Sequence, residues 1–195
     1  IQAATRIRRV IVVDIAETLS WPFRTLVHLV QRKKGEYVKV HRQSDIYRFS
    51  RLLSKYPPTP PGASLRPSDT ALFQYTGGTT GIPKAAMLTH GNLVANVLQL
   101  AALFRTAEPG GERFMAALPF FHVYGMTTCM LLGTHLGAEV AMVPRPRPVD
   151  IVMHVIARTR ASIFPGVPTL YNAITHHPRV KDFDLSSVKF CISGA

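Results

Sequence analysis

Apolar positions recur along this chain in two alternating rhythms. Short β-type runs at Val10–Val13, Thr70–Tyr75, Arg113–Leu118, Glu139–Val143, Ser162–Phe164 and Val188–Ile192 predict strands. Between them the spacing changes to that of a helix. Ile46–Tyr56 sets Ile46, Phe49, Leu52 and Leu53 on one face behind a start at Ser44 or Asp45. Leu93, Val94, Val97, Leu98 and Ala101 follow a capping residue, Thr89. Met126–Leu136, Val149–Arg158 and Pro168–His176 complete the helical set. Strands alternating with helices imply right-handed crossovers, so the expected class is α/β, a mostly parallel sheet with helices on both faces. Ligands of such sheets sit at the carboxyl ends of the strands. Tyr75, Pro119, Arg145, Pro165 and Ser193 each follow a predicted strand and are candidates for one shared rim.

Pro57–Asp69 interrupts the pattern with five prolines, a glycine and two serines, and is read as a loop or linker. It divides an upstream α/β segment, 1–56, from a larger α/β core, 70–195. Phe114–Ala138 lacks Asp, Glu, Lys and Arg and is long enough to span a bilayer. Pro119, His122, Gly125, Gly133, His135 and Gly137 within it favour a strand, a turn and a buried helix instead.

Composition narrows the function classes. Hydrophobic residues make up 47% of the 195 and charged ones 17%, which excludes a disordered chain. The net charge of +12 calls for an anionic partner: nucleic acid, membrane, a phosphorylated ligand, or an acidic part of the same protein. Lys and Arg are scattered and are not interleaved with aromatics in a recognised motif, which ranks a basic nucleic-acid-binding module low. Cys129 and Cys191 read as reduced, buried thiols of a cytoplasmic protein, with no metal site.

The densest chemistry is Tyr75-Thr76-Gly77-Gly78-Thr79-Thr80-Gly81-Ile82-Pro83-Lys84. Glycines let backbone N–H groups approach phosphate oxygens, threonine hydroxyls add donors, and a lysine supplies charge. The Walker spacing is absent, because Pro83 precedes the lysine and Ala85 follows it. The plain alternative is a turn rich in Gly and Thr. The run Phe73–Lys84 with Met87-Leu88-Thr89-His90 resembles the phosphate loop of the acyl-adenylate-forming superfamily. Pro119-Phe120-Phe121-His122-Val123-Tyr124-Gly125 resembles its aromatic motif beside the acyl pocket, and Ser193-Gly194-Ala195 the start of its loop at the acyl-adenylate. Together they look most like the long-chain fatty-acyl-CoA ligases. The likeness runs from about Thr70 onward and departs at Ala85, where the family usually has glycine.

What the resemblance implies is part of the large N-terminal domain of an adenylate-forming enzyme using ATP, Mg²⁺ and coenzyme A. Thr76, Gly77, Gly78, Thr79, Thr80, Gly81 and Lys84 would hold the ATP phosphates, with Thr80 and Lys84 the catalytic pair. His122 would border the carboxylate, and Tyr124, Gly194 and Ala195 would line the acyl-adenylate pocket. Arg145 would meet the CoA nucleotide, against the alternative of a solvated charge among Pro144, Pro146 and Pro148. Transfer to a carrier protein in place of CoA stays open. The family's Tyr-Gly-x-Thr-Glu motif, ribose aspartate, hinge and C-terminal lysine are missing, so the chain is expected to be truncated and inactive by itself. Leu19–Lys34 reads either as an interfacial segment for an anionic membrane or as a buried amphipathic helix with a solvated basic end.

Overall fold

The computed structural model describes residues 5–38, 44–60, 62–76, 84–104 and 106–194. They pack as two compact units, residues 1–63 and 64–195.

In the first unit, strand β1 (Val10–Val12) leads into a 3₁₀ turn, Ile15–Thr18, capped by Asp14, whose carboxylate accepts the Ala16 N–H at 2.9 Å. Helix α1 (Phe23–Lys33) follows. Strand β2 (Ile46–Arg48) then pairs in parallel with β1, Val10 opposite Ile46, and runs directly into helix α2 (Phe49–Lys55). The single helix expected over 46–56 is therefore split. Ile46 and Tyr47 are half-buried against the partner strand, and the helix starts after Arg48 with no side-chain cap, not at Ser44 or Asp45. Pairing outweighed the helical spacing of Ile46 with Phe49.

The second unit opens with an antiparallel hairpin, β3 (Thr70–Thr76) and β4 (Lys84–Thr89), with Thr76 opposite Lys84. Strand β4 has no counterpart in the sequence pattern, where its Ala-Ala pair carries little β signal and the glycine-rich segment leads straight to the capped helix. That helix, α3 (His90–Ala101), has the expected cap. Thr89 Oγ1 accepts the Asn92 N–H at 3.1 Å while the Asn92 side chain accepts the Thr89 N–H at 3.0 Å.

The remaining strands form one parallel sheet in the order β6-β5-β7-β8: β5 is Arg113–Ala116, β6 Glu139–Met142, β7 Ile163–Gly166 and β8 Phe190–Ser193. After β5 the chain enters one continuous helical rod, α4 (Val123–Gly125), a π segment (Met126–Leu131) and α5 (Leu132–His135). Helix α6 (Asp150–Thr159) links β6 to β7, and α7 (Pro168–Thr175) links β7 to β8. Alternate side chains of the central strands sort onto opposite faces. Phe114 and Ile163 pack with Val97 of α3 and Leu132 of α5, whereas Met115 and Phe164 pack with Val152, Met153 and Ile156 of α6 and Ile174 of α7. Helices thus cover both faces, and β5 and β7 are almost wholly buried while β6 and β8 are half-exposed.

The amino ends of the sheet are tied by a buried carboxylate. Glu112, 1% exposed, accepts a hydrogen bond from the Ser162 hydroxyl and lies 3.3 Å from Lys189 Nζ. Ser162 Oγ in turn accepts the Arg113 N–H at 3.0 Å. One side chain before β5 therefore holds residues just before β7 and β8.

Two rim assignments change. Tyr75 belongs to the hairpin, and Pro165 lies buried inside β7, which runs on to Gly166. Both cysteines are free, but only Cys129 is buried; Cys191 is exposed on β8, an edge strand of the sheet among the described residues. No helix of the described residues is long and apolar enough to cross a membrane, and Phe114–Ala138 is a strand, a loop and the helical rod.

Candidate functional site

From β5 the chain moves to β6 on one side, and from β6 it returns across β5 to β7 on the other. Strand order reverses between β5 and β7, so the carboxyl ends of these two strands frame the crevice where an open parallel sheet binds ligands. The Pro119–Gly125 motif sits at this point, immediately beyond β5.

Local packing fixes the motif. A Cβ on Gly125 would lie 2.5 Å from the Pro119 carbonyl oxygen, so only glycine lets the chain fold back so tightly. His122 N–H donates to Pro119 O at 3.1 Å, and His122 caps the helical rod, its Nδ1 accepting the Tyr124 N–H at 3.2 Å. A ring nitrogen that accepts carries no proton, so the neutral ring holds its hydrogen on Nε2. His122 is exposed and therefore offers Nε2–H as a donor. The π segment begins just after Tyr124. Thr127 Oγ1 donates to Val123 O at 2.9 Å and Thr128 Oγ1 to Tyr124 O at 2.7 Å, satisfying carbonyls where the helical ladder widens.

Tyr124 reaches across the crevice. Its hydroxyl lies 2.6 Å from Ile192 O and 3.3 Å from Gly166 O; with one proton to give, it donates chiefly to Ile192. A Cβ on Gly194 would stand 3.3 Å from Tyr124 Cζ, so the ring rests on that glycine. The second and third sequence motifs, 68 residues apart at the Tyr124–Ile192 bond, thus meet in space. Burial, helped by the nearby Cys129 thiol, lifts the Tyr124 phenol above its ordinary range against the opposing hydrogen bond at Gly166. It stays a neutral donor at physiological pH.

A further residue completes this arrangement. Tyr171 of α7 places its hydroxyl 2.6 Å from Phe164 O and 2.8 Å from Ile192 O, and its ring fills the space a Gly166 side chain would take, Cζ 2.9 Å from the Cβ position. Two tyrosines therefore converge on one carbonyl at the carboxyl end of β8. The sequence marks Tyr171 only as one more residue of a helix, so its role had no signal there.

Arg145 is exposed on the loop leaving β6 and makes no ion pair among the described residues. An apolar cleft of about 260 Å³ is lined by Leu118, Pro119, Phe121, Met142, Val143 and Pro144, the last of these preceding Arg145 in the chain. The cleft joins the carboxyl ends of β5 and β6, adjacent to the motif that carries His122 and Tyr124.

Thr76 and Lys84 occupy the facing ends of the β3–β4 hairpin, Thr76 Oγ1 donating to Lys84 O at 3.3 Å. Both are exposed, and Lys84 has no acidic partner among the described residues. The hairpin therefore fixes the two stems of the glycine-rich segment and leaves a solvated ammonium at one of them. Gly77, Gly78, Thr79, Thr80 and Gly81 lie outside the described residues, as does Ala195. The bonds that join Tyr124 to β7 and β8 do not involve Thr76 or Lys84. Among the described residues no group of three or more His, Cys, Asp or Glu could hold a metal ion.

Residues 2–195 match the family model described as AMP-binding enzyme. The long-chain-fatty-acid–CoA ligase of Bacillus subtilis strain 168 is 34% identical over 194 residues, 96% of this chain and 33% of that protein. The ligase of the same name from Escherichia coli O157:H7 is 33% identical over 192 residues, 97% of this chain and 34% of that protein. This chain therefore spans about a third of the length of the curated relatives it matches. The solved N-terminal domain of FACL13 from Mycobacterium tuberculosis, bound to an inhibitor, shares the fold with a TM-score of 0.69 at 21% identity, over 95% of this chain and 50% of that one. The anthranilate CoA ligase AuaEII in complex with anthranoyl-AMP aligns with a TM-score of 0.71 at 22% identity, over 95% of this chain and 36% of that one. With a match to the family model over nearly its whole length, the chain belongs to the AMP-binding enzyme family.

Proposed function

We propose that this chain is part of an AMP-forming ligase that activates a long-chain fatty acid with ATP and passes the acyl group to coenzyme A. The observation that carries the reading is the joining of Pro119–Gly125 to Ser193-Gly194 through Tyr124, in a chain about a third identical to two long-chain-fatty-acid–CoA ligases. A fatty carboxylate oxygen attacks the α-phosphorus of ATP, forming the acyl–phosphate bond as the bond to pyrophosphate breaks. The CoA thiolate then attacks the acyl carbon, and AMP leaves with the electron pair.

In the first step two anions approach, so the residues at the hairpin must offset repulsion and stabilise charge on the leaving pyrophosphate. That is the work assigned to Thr76, Lys84 and the intervening segment with Gly77, Gly78, Thr79, Thr80 and Gly81. Mg²⁺ would enter with the nucleotide as MgATP. His122, with Nε2–H outward, donates to the carboxylate and orients it; Tyr124, Gly194 and Ala195 shape the wall behind the acyl-adenylate. The apolar cleft beside Phe121 and Val143 suits the start of an acyl chain, and the exposed Arg145, next in the chain after the cleft residue Pro144, suits a CoA phosphate.

The test is ATP–pyrophosphate exchange by the enzyme carrying this chain, with palmitate, a short-chain acid or no acid, followed by acyl-CoA formation. Exchange that requires a long-chain acid, with thioester formed only when CoA is present, supports the reading. Exchange without CoA transfer, but with acylation of a phosphopantetheine carrier protein, would instead favour carrier loading.

A further inference from the structure

Helix α1 leaves one apolar side open. None of its residues is buried. One side faces its own unit: His28 Nε2 lies 2.9 Å from Asp14 Oδ2, the Tyr37 ring meets His28 edge-on, and Gln31 O accepts the Glu36 N–H. The opposite side carries Phe23, Leu26, Leu29 and Val30 at helical spacing, each between 45% and 60% exposed, and Trp21 just ahead of them is 83% exposed. Lys33 stands on that same side, four residues after Leu29 and seven after Leu26. Arg32 lies over the Tyr37 ring at 4.8 Å, and Arg24, Lys33 and Lys34 have no ion pair among the described residues.

The charge around the helix has the same bias. Residues 1–63 contain twelve Lys and Arg against four Asp and Glu, whereas 64–195 contain eleven against seven. Asp14 and Glu17 are already engaged, with His28 and Arg48.

We propose that α1 with Trp21 docks on an anionic lipid bilayer. The apolar strip would enter the boundary between headgroups and acyl chains, about 5–10 Å deep, with Trp21 at headgroup level and Lys33 and Lys34 reaching up to lipid phosphates. A nucleic acid would satisfy the cations but leave the four apolar side chains and Trp21 in water. A second copy of the same face would bring a second Lys33 and no acidic side chain to pair with it, since α1 contains none. An anionic bilayer satisfies both parts of the surface. The inference is independent of the proposed reaction.

Trp21 is the sole tryptophan of the 195-residue chain and reports directly on this face. Mixed with vesicles of phosphatidylcholine and phosphatidylglycerol, the chain is expected to co-sediment, its emission to shift to the blue, and brominated acyl chains to quench it. Pure phosphatidylcholine should bind more weakly by over tenfold. Replacing Lys33 and Lys34 by Gln should weaken binding about fivefold per charge, on the order of 25-fold in all. Leu26→Glu with Leu29→Glu, at exposed sites that leave the circular dichroism spectrum unchanged, should abolish the blue shift.

Four results would overturn the proposal. One is no binding to the anionic vesicles at physiological salt. Another is binding that survives the leucine double variant. The third is emission already blue-shifted without lipid, which would mean that protein covers the face. The last is a concentration-dependent dimer that the leucine variant dissolves.

Discussion

Glu112 offers the sharpest test of how the parallel sheet is held. Its carboxylate is 1% exposed and has two partners, the Ser162 hydroxyl and Lys189 Nζ at 3.3 Å, while the Lys189 side chain is 60% exposed. Judged as a surface ion pair the contact would be worth about 0–1 kcal/mol. The two ends are unequal, however: removing Lys189 leaves a nearly inaccessible carboxylate with a single donor. Breaking a fully buried pair costs about 3–5 kcal/mol, and water reaching the lysine end reduces that, so Lys189→Gln is expected to cost about 2 kcal/mol. Glu112→Gln exchanges a hydrogen bond to a charged group for a neutral one and should cost about 1–2 kcal/mol. In the double variant neither charge remains, so its loss should be smaller than the sum of the singles by about 1 kcal/mol or more. Urea unfolding followed by far-ultraviolet circular dichroism reads all three. A double variant whose loss equals the sum would refute the coupling and leave Lys189 a surface charge.

Other consequences follow from the same packing. Burial pushes the Cys129 thiol up to about 11 from an ordinary value of 9.0, against a weak opposing bond from Thr128, so the folded chain holds this proton longer than the unfolded one. Stability should be unaffected below pH 9 and fall as pH rises toward 11, by up to about 3 kcal/mol, and Cys129→Ala should flatten that slope in unfolding measured across the range. Gly125→Ala, whose Cβ would meet Pro119 O at 2.5 Å, should destabilise by about 1–3 kcal/mol and lower the melting temperature. Tyr124→Phe removes the hydroxyl 2.6 Å from Ile192 O; it should cost about 1 kcal/mol in urea unfolding and slow adenylate formation in single-turnover assays.

The elements that the sequence reveals most clearly are those whose own residues determine them. Thr89 and Asn92 cap α3 locally, and the alternation of Phe114 with Met115 needs only two covered faces to become β5. Strand β4 and the start of α2 were hidden because partners elsewhere in the chain decide them: Lys84–Thr89 is a strand through pairing with β3, and Ile46–Arg48 through pairing with β1. The site divides in the same way. His122, Tyr124 and Gly194 stand in recognisable runs, and the fold brings Tyr124 onto Gly194. Tyr171 and the Glu112–Ser162–Lys189 group act through contacts 21 to 77 residues apart, which no local pattern records.

The central claim is that the segment held between Thr76 and Lys84 is a phosphate loop serving adenylation, and Lys84→Ala tests it most directly. Lys84 closes the hairpin at an exposed position, so the substitution should leave the fold intact. In the enzyme carrying this chain, fatty-acid-dependent ATP–pyrophosphate exchange should fall about 10²–10³-fold, as for the loss of one preorganised donor to developing charge, while fatty-acid affinity by titration stays nearly unchanged. Equal losses in exchange and in fatty-acid binding, or exchange at the unmodified rate, would contradict it.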